Sequence, residues 1–237
     1  MSAGEGRRLQ PLSERWAKPV LPIDGRPVLA TMLRELAGAG FTRVVVVTGH
    51  LAHQVERLVG DGSGFGLEAV FVRQPRRDGS ADAVLRALEG GARLPALVAA
   101  ADTLFTPGDV GRFWSAYRAS GANGALAGRR EPPPDPPHRF GIRVRAGLVE
   151  RVLEDDPAAT PLSGAPLWAL DAELAARLPG DQKAPYELGV VFQQAIDAGL
   201  TVAGVEIGPT RDLTYPLDLV AENFSYLRNF EDSEAAL

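Results

Sequence analysis

At 237 residues, 45% of them hydrophobic, the chain is long enough to bury one substantial core, and one domain of mixed α/β type is the simplest count. Its net charge of −5 argues against broad nucleic-acid or anionic-membrane binding, and the absence of cysteine rules out disulfides and thiolate catalysis. No apolar run is long enough to span a bilayer or serve as a signal peptide, so a soluble cytoplasmic protein is the expectation.

In chain order, the first 28 residues are too broken by glycine and proline for a helix. From Pro27, the residues Val28, Leu29, Met32, Leu33 and Leu36 fall on one helical face, and Gly38 and Gly40 end the run. Val44 to Val47 is a continuous β-branched run, as expected of a strand covered on both faces. A helix over Leu51 to Leu58, a strand over Leu67 to Val72, a helix over Ala81 to Leu88 and a buried strand over Leu97 to Ala100 follow. Strands alternating with helices predict a mixed, mostly parallel central sheet flanked by helices.

Beyond Asp102 the texture changes. Val110, Phe113, Trp114 and Tyr117 fit a helix face, whereas the proline-rich Glu131 to Pro137 must be an exposed extended loop. Phe140 to Val144 and Leu148 to Leu153, joined by Ala146-Gly147, form a hairpin. Helices are expected over Asp171 to Leu178, Leu188 to Ala198 and Pro216 to Asn229, with a strand over Val202 to Ile207. No internal repeat or composition shift marks a second domain.

The opening segment carries the chemistry. Gly4 and Gly6 let the backbone wrap closely around phosphates and present N–H groups, while Arg7, Arg8 and Lys18 supply the charge that a polyphosphate needs. A dinucleotide fingerprint does not fit, because Leu9 stands where a third glycine is needed and no strand precedes the loop.

The segment closely resembles the G-x-G-T-R-L-x-P-L-T…K-P signature of the sugar-1-phosphate nucleotidyltransferases, matched at Gly4, Gly6, Arg8, Leu9, Pro11, Leu12, Lys18 and Pro19. Arg7 departs from it. The resemblance implies a Rossmann-like nucleotide-diphospho-sugar transferase domain spanning 1–237. Its nucleotide half would cover about 1–105 and its sugar-phosphate half about 106–237. It also implies catalytic roles for Arg8 and Lys18 and nucleotide contacts from Ala3, Gly4 and Gly6.

Further sites follow the same resemblance. Gln74, five residues before Gly79-Ser80-Ala81, matches the glutamine that reads uracil or thymine, and it directly follows a predicted strand, where open α/β sheets bind ligands. An ordinary polar turn with Ser80 capping the next helix is the alternative. Asp102, at the end of the Leu97 to Ala101 run, and Asp212, in R-D-L-T-Y-P-L-D-L, match the two Mg²⁺-binding acids, although Asp102 would also serve as the N-cap of a short turn. Asp218 is structural, an acid in a helix's first turn. The histidines, Trp114 and Trp168 read as structural, and Arg76 and Arg77 as solvated or triphosphate-facing.

On the sugar side the pattern loosens. Glu154 matches an acceptor motif whose lysine is replaced by Asp155, Gly164-Ala165-Pro166 replaces N-A-G, and Glu187 is the best candidate to accept a sugar hydroxyl. Relatives also have an apolar strand before the glycine loop, where here only Met1-Ser2-Ala3 precedes Gly4, so the first strand is missing from the expected sheet. Either the true start lies upstream or the strand is lost.

The expectation is a Mg²⁺-dependent uridylyl- or thymidylyltransferase that joins an NTP to a sugar 1-phosphate. It would have no nucleic-acid or membrane partner, with homo-oligomerisation left open. The alternative is a non-catalytic nucleotide-sugar-binding or regulatory paralogue.

Overall fold

A computed structural model describes residues 1, 4, 6–76, 78–130, 140–154, 162–178 and 187–224. Gly6 adopts φ +61°, a left-handed conformation that costs glycine little, and its carbonyl accepts the Leu9 N–H at 2.8 Å to close a 3₁₀ turn over Arg7–Leu9. Leu9, 1% exposed, pins this turn into a small core with Leu21, Ile23, Val28, Leu104 and Leu213. The short helix α1 (Leu12–Arg15), a second 3₁₀ turn (Lys18–Val20) and the hairpin β1 (Pro22–Ile23) and β2 (Arg26–Pro27) lead into α2 (Val28–Gly38). As the spacing predicts, α2 buries Val28, Leu29, Met32, Leu33 and Leu36. Then come β3 (Arg43–Thr48), α3 (Ala52–Val59), β4 (Glu68–Arg73), α4 (Ser80–Glu89), β5 (Ala96–Ala99) and β6 (Thr103–Leu104).

The second half opens with α5 (Asp109–Ser120), which buries Val110, Phe113 and Tyr117, followed by β7 (Gly124–Arg129). The hairpin of β8 (Gly141–Arg145) and β9 (Leu148–Glu154) turns on Ala146 and Gly147, at φ +50° and +80°, the signs that a two-residue type I′ turn requires. After β10 (Ser163–Leu170), Asp171 accepts the Leu174 N–H at 2.9 Å and starts α6 (Ala172–Ala175). The chain closes with α7 (Leu188–Asp197), β11 (Val202–Ile207), β12 (Arg211–Asp212) and α8 (Pro216–Asn223). Both α6 and α8 are shorter than periodicity suggests. Residues 131–137, expected as a loop, and 225–229, expected in the last helix, lie outside the described residues.

The α/β architecture is as expected, but its strand pairing is not mostly parallel. The six-stranded sheet has the order β5-β10-β7-β11-β9-β8, and among the described residues only β7 and β11 within it run parallel. Strand β10 returns antiparallel between β5 and β7, and the β8–β9 hairpin adds three more antiparallel pairings, β8 with β9, β9 with β11 and β8 with β10. The expected parallel pairing holds for β3 and β4, with Arg43 opposite Glu68 through Thr48 opposite Arg73. These two strands form a separate ladder. Val44 and Val45 are consequently half-buried instead of covered on both faces.

Strand β7 lacked a sequence signal because packing, not side-chain bulk, shapes it. A Cβ on Gly124 would lie 2.6 Å from Leu174 Cδ1 and 3.0 Å from the Ala169 carbonyl, and one on Gly128 would lie 2.6 Å from Ile142 Cδ1. Glycine at both lets neighbours close over a strand whose six residues are all buried.

Candidate active site

A cavity of about 300 Å³ opens beside the glycine loop, lined by Gly4, Gly6, Arg8, Lys18, Asp102 and Thr214 among others. The lining is drawn from both ends of the sequence. Strand β5 ends just before Asp102, and the antiparallel pairing of β6 with β12 puts Asp212 opposite Thr103, the next residue. This pairing brings the two predicted metal ligands, far apart in sequence, onto adjacent backbone segments. Lys18 Nζ lies 2.8 Å from Asp102 Oδ2, with the side chains 17% and 33% exposed. Arg8 is exposed at the rim.

The β12 segment is held in place by its own side chains. Thr214 Oγ1 donates to Asp212 Oδ1 at 2.8 Å, and Asp218 Oδ2 accepts the N–H groups of Thr214 and Tyr215, each at 2.7 Å. Asp218 is therefore the reciprocal cap of α8, as a structural acid in the first turn should be. Thr214 is a site residue that the sequence reading missed. Its signal, a hydroxyl two residues after a functional carboxylate, is too common to stand out.

Gln74, Gly79, Ser80 and Glu187 form a second constellation, none of them lining the cavity just described. Gln74 is buried, and its Nε2 donates to the Gly79 carbonyl at 3.0 Å and to Asp82 Oδ2 at 2.7 Å. Both partners are acceptors, which fixes the amide's orientation and spends both of its hydrogens. Ser80 does not cap its own helix through its side chain. Its hydroxyl donates to Glu187 Oε2 at 2.6 Å and accepts the Leu188 N–H at 2.8 Å, so a residue expected on the nucleotide side ties down the start of α7 and the residue expected on the sugar side.

Ala3 lies outside the described residues, as does the side chain of Glu154 at the end of β9. At Gly164, where the resemblance would put an asparagine, there is no room for a side chain as the neighbours stand. A Cβ there would sit 2.0 Å from Phe140, whose ring stacks on Trp168 at 5.6 Å. Trp168 is 4% exposed in the core, whereas Trp114 is half-buried between Phe41 and Tyr117. His50 is held by the Ser13 carbonyl at 2.9 Å, Arg76 is paired with Asp78, and His138 and Arg77 lie outside the described residues. Among the described residues no group of three or more His, Cys, Asp or Glu is placed to hold a metal, and no helix is long and apolar enough to cross a membrane.

The architecture is that of the nucleotide-diphospho-sugar transferases. It aligns with the UTP-bound UGPase from Acinetobacter baumannii at a TM-score of 0.76, 22% identity, covering 95% of this chain and 90% of that one. It aligns with the inositol-1-phosphate CTP transferase of T. maritima at 0.77, 19% identity, covering 96% and 94%.

The chain belongs to the nucleotidyl transferase family, whose model matches residues 1–160. Among curated relatives, a glucose-1-phosphate thymidylyltransferase of Streptomyces antibioticus is 40% identical over 85 residues, 36% of this chain and 24% of that protein. A mannose-1-phosphate guanylyltransferase of Mycobacterium tuberculosis is 26% identical over 239 residues, 98% of this chain and 65% of that protein. The matches to the Streptomyces enzyme and to an N-acetylmuramate alpha-1-phosphate uridylyltransferase of Neisseria meningitidis span about a quarter to a third of those relatives' length.

Proposed function

We propose that this nucleotidyltransferase joins UTP or dTTP to a sugar 1-phosphate, giving a nucleotide-sugar and pyrophosphate. The observation that carries the reading is the Lys18–Asp102 pair in the cavity beside Gly4, Gly6 and Arg8. A cation and an acid in contact at a strand end, next to glycine amides, are the parts that phosphoryl transfer uses.

In the proposed reaction, an oxygen of the sugar phosphate attacks the α-phosphorus of the nucleotide in line, the bond to the bridging oxygen breaks, and pyrophosphate leaves with the bonding pair. The attacking group is already ionised at neutral pH, so no general base is needed. Lys18 holds the α-phosphate and the incoming phosphate, Arg8 the departing pyrophosphate, and the main chain at Ala3, Gly4 and Gly6 the nucleotide. Positioning and electrostatics supply the rate.

The donor set suits Mg²⁺, which takes hard oxygen ligands from one or two carboxylates together with phosphate oxygens and water. Asp102 and Asp212, brought onto neighbouring backbone by the β6–β12 pairing, would hold it. When bound, such an ion neutralises charge on the phosphates.

Base choice rests on Gln74. With both amide hydrogens bonded within the chain, Oε1 is what it has to offer a base, and it would accept from the ring N–H of uracil or thymine. On the sugar side, Glu187 and Glu154 would take hydroxyl groups, and Phe140 fills the space an asparagine would use at position 164.

The test is pyrophosphate release with UTP, dTTP, CTP, GTP and ATP, each against a panel of hexose and N-acetylhexosamine 1-phosphates in Mg²⁺. Turnover confined to UTP or dTTP with at least one sugar 1-phosphate is the expected result. Nucleotide binding without turnover on any acceptor would favour a regulatory, non-catalytic paralogue.

A further inference from the structure

Gln74 is held by more of the chain than a contact to a base requires. Both hydrogens of its buried amide point back into the protein, to the Gly79 carbonyl at 3.0 Å and to Asp82 Oδ2 at 2.7 Å. Each acceptor is itself fixed. The Gly79 carbonyl opens α4 by taking the Ala83 N–H at 3.3 Å, and Asp82 Oδ2 also accepts Arg86 Nε at 2.8 Å, one turn further along the helix. Among the described residues Oε1 of Gln74 accepts no hydrogen bond, and it is not sealed from solvent.

The Asp82–Arg86 pair has a use beyond the helix. An exposed ion pair at i and i+4 adds little to helix stability. Here the Asp82 side chain is 10% exposed, and the oxygen that meets Arg86 is the one that meets Gln74. An ionised carboxylate only accepts, as does a main-chain carbonyl. Were the Gln74 amide to turn over, Oε1 would face both of these oxygens with no hydrogen between them, leaving buried acceptors unpaired. The amide is thereby kept in one orientation, with its oxygen outward.

We propose that Asp82, held by Arg86, is a positioning residue that sets base specificity: it keeps Gln74 presenting an acceptor and so selects uracil or thymine over cytosine. The inference rests on the reading of Gln74 as the base contact and adds the residue that decides what this glutamine can read. Uracil and cytosine are nearly the same size, so the shape of a pocket separates them poorly. They differ at ring position 3, an N–H donor in uracil and thymine and a lone pair in cytosine. Against Oε1 the first makes a hydrogen bond, whereas the second sets two acceptors face to face, a repulsive element that works against the wrong base. A glutamine free to turn carries a donor as well as an acceptor and would satisfy either.

The test is calorimetric titration of UTP and of CTP, in Mg²⁺, into the parent, Asp82→Ala, Asp82→Asn and Gln74→Ala. The parent should prefer UTP by about tenfold, the size of one hydrogen bond. Asp82→Ala should bring the two nucleotides within about threefold, in part by binding CTP more tightly than the parent does, a gain that damage to the structure does not produce. Asp82→Asn, which keeps an oxygen to accept from Gln74, should retain most of the preference. Exchange of the Gln74 side-chain amide protons, followed by NMR without nucleotide, reads the restraint even if Asp82→Ala is unstable. In the parent these protons should exchange about tenfold or more slowly than those of an exposed glutamine.

An unchanged preference in a folded Asp82→Ala, where Gln74→Ala erases it, would overturn the proposal and leave Gln74 as the base contact. Gln74 amide protons that exchange in the parent as fast as those of an exposed glutamine would do the same. Equal binding of UTP and CTP by the parent would overturn both the proposal and the base reading beneath it.

Discussion

Lys18 and Asp102 are separated by 84 positions in sequence and by 2.8 Å in space. Lys18 comes from the 3₁₀ turn after the glycine loop and Asp102 from the turn between β5 and β6, and the loop docks there through Leu9, which shares a core with Leu104 of β6. The pair is partly exposed, where an ion pair is worth about 0 to 1 kcal/mol of stability. Under the proposed function, its value is in what it does to phosphate.

Lys18→Ala and Asp102→Asn should each lower turnover by about a hundredfold to a thousandfold, equivalent to about 3 to 4 kcal/mol in the transition state. Circular dichroism and melting temperature should stay close to the parent. The double variant should be little worse than either single one, because the two act as a unit. A folded variant that keeps turnover within threefold of the parent would remove that residue from the site.

The base assignment is open to calorimetry. UTP or dTTP should bind about tenfold more tightly than GTP or ATP, the size of one hydrogen bond to a base edge. Gln74→Ala should erase the preference. Equal or tighter binding of GTP by the parent would end the role given to Gln74.

For the chain beginning at Met1, the terminal amino group gives stability a pH dependence. Burial, opposed by attraction to Asp102, lowers its pKa from the usual 8.0 to about 6. Between pH 6 and 8 the unfolded chain therefore binds more protons than the folded one, and stability rises with pH across that window. The fold should be about 2 to 3 kcal/mol weaker below pH 6 than above pH 8 from this group. Urea unfolding in metal-free buffer at pH 6 and 8 measures the difference, and acetylating the amino terminus should abolish it. An acetylated chain with an unchanged pH slope would contradict the assignment.

Gly124→Ala should destabilise the protein by about 1 to 3 kcal/mol, because the new methyl meets Leu174 at 2.6 Å and a main-chain oxygen at 3.0 Å in the middle of the sheet. Chemical denaturation reads this directly. A variant as stable as the parent would mean that β10 and α6 have room to move.

Those same glycines show where the sequence stops being legible. Helix α2 and strands β3, β4 and β11 announce themselves through apolar spacing, and the Ala146-Gly147 turn through its residue types. Strand β7, G-A-L-A-G-R, has neither bulk nor alternation, since its glycines answer to Leu174, Ile142 and Phe192, contacts that no local pattern encodes. The cavity-lining residues Gly4, Gly6, Arg8 and Lys18 could be picked out because charge and glycine in a short loop have a chemical meaning by themselves, and Asp102 through the resemblance and its place after an apolar run. The bonds from Ser80 to Glu187 and Leu188 span more than 100 positions, and only the packing of α4 against α7 brings them together. The antiparallel return of β10 was hidden for a like reason, since pairing direction depends on where a chain re-enters a sheet.

The most direct test of the account is transfer of label from [α-³²P]UTP in the presence of Mg²⁺ and glucose 1-phosphate or another sugar 1-phosphate. Label should appear in a nucleotide-sugar with one pyrophosphate released per transfer, about a hundredfold or more slowly in Lys18→Ala. If the chain folds and binds UTP yet moves no label from UTP or dTTP to any sugar phosphate, the transferase reading fails.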